Sequence, residues 1–183
     1  NKKGAYAEVL QYGAILVKMC VPDKKGDLKD VVLGYDDIRG YEINGCFFGA
    51  IIGRSGNRIE NSRFFIDDKE VVLAENENHN NLHSGPDGFE KKLWEVKEIS
   101  QEKNSVDFFR ISPDGENGFP GEFSIVVKYE FTEENENEEI EQTNTDSQEN
   151  GQSEAGTHSE YKIPGKGEGR VSYHLSGMYQ DWF

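Results

Sequence analysis

Two side chains stand out for what they could do to a bound ligand. Arg58 lies in GRSGNRI and His83 in NNLHSGPDG, each inside a Gly/Asn-rich turn. A guanidinium offers N–H donors in a fixed fork and stays charged, so it suits recognition of hydroxyl or ring oxygens in a cleft. A neutral imidazole both donates and accepts, which matches a hydroxyl group. Both residues also have plainer readings. Arg58 could be a surface cation paired with Glu60 or Asp67, and His83 a loop histidine fixed to backbone. Loops held by strands are nevertheless where binding residues tend to sit.

Other candidates carry less. Trp94 in LWEV could be a stacking platform, but its strand setting reads as a core aromatic. Asp114 in SPDGENG fits a turn-forming Asp before Gly better than an acid or a metal ligand. SGPDG is most simply a turn. His79, His158 and His174 have no metal-ligand spacing with Cys20 and Cys46, so no metal is expected. GKGEG around Lys166 lacks the Lys-Ser/Thr and the helix that a phosphate loop needs.

The elements that must position these residues are strands. Ile15, Val17, Met19 and Val21 share one face of AILVKMCVP. Phe123, Ile125, Val127, Tyr129 and Phe131 alternate strictly, the mark of a half-buried strand. RFFI and KEVVL flank Asp67-Asp68, a tight hairpin turn that separates Arg58 from His83. LWEVKEI and SVDFFRIS flank a polar turn at Gln101 to Asn104. PDKKGD, SGPDG and SPDGENGFPG add further turns, and no helical period of useful length occurs. Short strands with frequent turns predict an antiparallel sandwich from Ala5 to Phe131.

Composition narrows the partners. The 183 residues carry a net charge of −15 and only 34% hydrophobic side chains. Nucleic acid is not an expected partner, because phosphate contacts need clustered Lys/Arg. An anionic membrane is equally unfavourable, and no apolar run approaches the roughly 20 residues of a span. The two cysteines read as buried free thiols, there is no Asn-x-Ser/Thr sequon, and a reducing cytoplasm fits. The absence of an initiating Met leaves room for a leader removed ahead of Asn1. Three segments are expected: a folded part at 1–132, an acidic low-complexity segment at 133–160, and a short weakly aromatic part at 161–183. EENENEEIEQTNTDSQENGQSEAG has almost no apolar anchor, so disorder is expected there, with a degenerate strand as the alternative.

The motifs, in order, resemble those of the aldose 1-epimerase (galactose mutarotase) family. GCFFGAIIGRSGNRI is similar to FGAxxGRxANRI, NNLHSG to NxLHGG, GFEKKLW to GFDKxxW, and SPDGENGFPG to SPDGExGYPG. The resemblance implies an all-β fold, a large antiparallel β supersandwich, here truncated. It implies an isomerase that interconverts anomers of galactose or glucose without a cofactor. It implies that Arg58, its neighbour Asn57, and His83 contact the hexose, with Ser84 departing from the usual Gly. The family's next motif ends NHSYFNLSG, where the histidine is the general acid. THSEYKIPG is its counterpart here, which makes His158 the candidate acid, places Tyr161 near the family aromatic and aligns Gly165 with the closing Gly. GEGRVSYHL resembles GDILDHxL, which would make His174 structural. The family's Glu base has no counterpart in this sequence. The alternatives are a non-catalytic carbohydrate-binding or regulatory module, or an inactive truncated product. Self-association through exposed sheet edges is expected of a partial sandwich.

Overall fold

The computed structural model describes Asn1 and residues 4–131, together with the backbone of two strands at residues 155–160 and 171–179. Strands β1 (Tyr6–Leu10), β2 (Ile15–Pro22) and β3 (Leu28–Asp30) form one antiparallel sheet in that order. A second antiparallel sheet contains β8 (Glu95–Ser100), β9 (Ser105–Ser112), β10 (Phe123–Phe131), β11 (Ala155–Glu160) and β12 (Val171–Tyr179). Its order is β11-β12-β10-β9-β8. Two small pairs lie between them in sequence: β4 (Arg58–Ile59) with β7 (Asn81–Leu82), and β5 (Arg63–Ile66) with β6 (Lys69–Val72).

The two larger sheets meet in one core. Met19 and Val21 come from β2, Phe108 from β9, and Ile125, Val127, Tyr129 and Phe131 from β10. The alternation of β10 is the cause: its buried and half-buried positions alternate, as a pleated strand with one covered face requires. Tyr129 resolves its polar end by donating from Oη to the Ala14 carbonyl at 2.7 Å. Trp94 is fully buried and donates from Nε1 to the Phe89 carbonyl at 3.3 Å, so it is core rather than platform. Burying an aromatic of this size contributes roughly 1.5–3 kcal/mol or more from area alone.

The hairpins fall where the turn chemistry puts them. Asp67 and Asp68 both adopt left-handed φ, 45° and 62°, which matches the twist of β5 and β6. The turn from Gln101 to Asn104 joins β8 to β9. The β signal read from Ala5 to Phe131 is interrupted over residues 31–57, which hold no strand. That stretch contains loops and one short helix, α1 (Ile38–Ile43), capped by the Asp37 carboxylate on the Arg39 N–H. Six residues are too few to leave a helical period in the sequence.

The thiols also differ from expectation. Cys20 is buried, because β2 is covered on both faces towards its end, whereas Cys46 is exposed in the loop after α1. The acidic segment lies outside the described residues, apart from Ala155 to Glu160, whose backbone forms β11. In that strand His158 stands directly opposite His174 of β12.

Candidate functional site

The site is built around the pairing of β4 with β7, only two residues on each side: Arg58 faces Leu82 and Ile59 faces Asn81. So short a ladder needs help, and the asparagines of NENHNN supply it. Asn76 acts as a third strand in miniature: its Oδ1 accepts from the Leu82 N–H at 2.7 Å and its Nδ2 donates to the Leu82 carbonyl at 2.9 Å. Asn80 Oδ1 accepts from the Asn61 N–H, and buried Asn81 donates from Nδ2 to the Ala74 carbonyl at 2.8 Å. Side-chain amides here replace the backbone partners that longer strands would provide.

The turn that follows is strained. His83, Ser84 and Gly85 have φ of 53°, 72° and 95°, a left-handed run that L side chains rarely adopt. A glycine in place of Ser84 would enter this conformation freely. Ser84 compensates by hydrogen bonding. Its Oγ accepts from the Ser55 N–H at 2.6 Å and donates to the Ser55 carbonyl at 2.9 Å, fastening the turn to the loop that carries Asn57 and Arg58.

The result brings Asn57, Arg58 and His83 together. The Asn57 N–H donates to His83 Nδ1 at 3.0 Å, and the His83 N–H returns a bond to the Asn57 carbonyl at 2.9 Å. Nδ1 is thus an acceptor, so the neutral ring carries its proton on Nε2, which becomes a donor. Phe47 packs edge-on against the ring, centroids 4.9 Å apart. Burial, and then the Arg58 charge, push the His83 pKa below the ordinary histidine range, which keeps the ring neutral.

Arg58 is half exposed, and its partner is neither Glu60 nor Asp67. Glu77 holds it in a bidentate clasp, Nε at 2.5 Å and Nη2 at 2.6 Å, while Nη1 reaches Asn57 Oδ1 at 3.4 Å. The hydrogen bonds from Arg58 lower the Glu77 pKa, so this carboxylate is charged at neutral pH. Glu77 and Phe47 were invisible to sequence reasoning. An acid nineteen residues from its arginine has no spacing signature, and Phe47 reaches the ring from an irregular loop.

The remaining sequence candidates fall elsewhere. Asp114 accepts from the Gly121 N–H and closes a turn, and His79 is an exposed neighbour of Glu75. No group of three or more potential metal ligands occurs among the described residues. His158 and His174 lie on β11 and β12, away in sequence from the β4–β7 pair.

These motifs and this fold have relatives. The aldose 1-epimerase family matches the chain over residues 1–176, and the chain belongs to that family. The galactose mutarotase of Bos taurus is 43% identical over 122 residues, 67% of this chain and 35% of that protein. The aldose 1-epimerase of Escherichia coli (strain K12) is 36% identical over 135 residues, 74% of this chain and 38% of that protein. Among solved structures, the GalM/aldose epimerase homologue from C. elegans superposes with a TM-score of 0.66 at 38% identity, over 71% of this chain and 39% of that one. The galactose 1-epimerase from Lactobacillus acidophilus NCFM gives a TM-score of 0.62 at 27% identity, over 71% and 38% of the two chains. The chain therefore spans little more than a third of the length of the relatives it matches.

Proposed function

We propose that this chain supplies the hexose-contacting edge of an aldose 1-epimerase, acting on galactose or glucose. The observation that supports it most is the convergence of Asn57, Arg58 and His83 on one strand pair, within motifs shared with the family. A fixed guanidinium fork and an imidazole whose Nδ1 is occupied, leaving Nε2–H as the donor, are suited to hydroxyl and ring oxygens.

The reaction needs two proton movements. A carboxylate takes the proton of the anomeric hydroxyl while an acid protonates the ring oxygen. The ring opens to the aldehyde, the C1–C2 bond rotates, and closure on the other face gives the second anomer. No redox change and no cofactor enters. Each proton transfer contributes roughly 10²–10⁴-fold. His158 is the proposed acid, and no base is assigned within these 183 residues. Val96 and Ile99 stand exposed on β8, the free edge of the larger sheet, which supports self-association.

Polarimetry on freshly dissolved α-D-galactose and α-D-glucose tests the reading. The chain alone should add little to the spontaneous rate, because catalytic groups that act as a unit lose most of their effect when one is missing. Binding without turnover is then expected. If turnover is robust, His158→Asn should abolish it, and turnover surviving that change would place the acid elsewhere.

A further inference from the structure

One buried ionisable group has no part in the chemistry above. Glu90 follows the His83 turn in GFEKKLW and sits in a 3-10 turn at Phe89–Lys91, with only 3% of its surface exposed. Its Oε2 has no hydrogen-bond partner, and the nearest cation, Lys91 Nζ, stands 3.9 Å from Oε1. Lys91 is itself committed to the Pro86 carbonyl at 2.5 Å. A bare carboxylate in such a place is costly, whereas a neutral acid is not and carries a donor.

What lies in front of that oxygen matters. Gly88 has no side chain, and the space its Cβ would fill is lined by Glu90 Oε2 and by the main-chain carbonyl of His83. We propose that Glu90 is a positioning residue for the His83 turn, held as a neutral acid whose Oε2–H donates towards the His83 carbonyl. Deprotonation replaces that bond by two facing oxygen lone pairs and loosens the turn. The functional consequence rests on His83 being a sugar contact, but the structural consequence does not.

The surroundings agree. Burial raises the Glu90 pKa above the usual carboxylate range and Asp87 adds to this, against the opposing pull of Glu90's own backbone N–H and of Lys91 and Lys92. Lys92 is largely occupied by Asp87 at 2.5 Å and Glu116 at 3.7 Å. From the β1–β2 turn Tyr12 feels the Glu90 charge together with that of Glu42 on α1, and from β9 Arg110 lies over the Phe89 ring at 4.7 Å. None of these places a full counter-charge on Oε2.

Carboxyl-detected NMR titration of the intact chain, without sugar, tests the inference directly. Glu90 should titrate above the ordinary carboxylate range, and its ionisation should move the Gly88 and Asn57 amides. Glu90→Gln, which keeps a donor and cannot ionise, should remove that step and leave the separate step from His83 protonation, which Glu90 does not control. In galactose titrations the wild-type Kd should rise roughly three- to tenfold across the Glu90 step, the range one hydrogen bond supplies, and stay flat in Glu90→Gln. The amide step without any galactose binding would support the role of Glu90 and defeat the sugar reading alone. Titration of Glu90 in the ordinary range, or amides that ignore it, would overturn the proposal, and this wild-type measurement decides even if the variant fails to fold.

Discussion

Arg54 and Arg58 sit four residues apart in one loop and have opposite fates. Arg54 spends its guanidinium on the fold: Nε on Ser112 Oγ at 2.7 Å, Nη1 on the Pro120 carbonyl at 3.0 Å, and Nη2 on the Ser112 and Pro113 carbonyls. It also lies over the Phe119 ring. Among the described residues, Arg58 makes no bond to a main-chain carbonyl and is held by one carboxylate at the surface. The first latches the loop to the end of β9, and the second is presented by it. Around Arg54 the acid is committed as well. Burial works against the Glu116 carboxylate, but hydrogen bonds from Arg110 and Ser112 hold its pKa below the usual range. The lesson is that the same residue type, in the same motif, is structural when carbonyls surround it and available when a surface acid holds it instead.

The largest effect should come from breaking the latch. Arg54→Ala strands several carbonyls and Ser112, and should cost about 2–3 kcal/mol. For a chain of this size thermal denaturation should then fall by roughly 4–12 °C. The link between latch and site comes next. Ser84→Ala loses both bonds to Ser55 and keeps the strained φ, for a cost of about 1–2 kcal/mol. Ser84→Gly loses the same bonds but relieves the backbone, so it should be less harmful by roughly 1 kcal/mol. Urea unfolding of the two variants gives the order, and a Gly variant worse than the Ala one would contradict this account of the turn.

A smaller effect should appear with pH. The folded state lowers the His83 pKa, so the neutral ring contributes stability above the ordinary histidine range. That contribution is lost as pH falls through the lowered value. The Asn57 amide, which donates to Nδ1, should report the loss as a step below the usual histidine pKa that persists in Glu90→Gln. The smallest effect belongs to Arg58→Ala, which should leave the melting temperature unchanged, since exposed ion pairs contribute little.

Much of this was legible in the sequence, for physical reasons. The strict alternation of Phe123 to Phe131 could only be a strand with one dry face, and Asp67-Asp68 between apolar runs could only be a tight turn. The pairing of Asn57, Arg58 and His83 followed from their place on either side of that hairpin and from the family motifs. What stayed hidden depends on contacts distant in sequence or on backbone without period: Glu77 on Arg58, Phe47 on His83, the latch made by Arg54, and the helical turn at α1. Arg54 was hidden in plain view, because a motif containing two arginines does not say which one faces carbonyls.

The central claim is that Asn57, Arg58 and His83 form a hexose-binding edge. Titration of the chain with D-galactose, followed by amide NMR, tests it most directly. The account predicts shifts centred on Asn57, Leu82, His83 and Ser84, lost in Arg58→Ala while the fold and melting temperature persist. Shifts that survive Arg58→Ala, or that arise far from the β4–β7 pair, would contradict it.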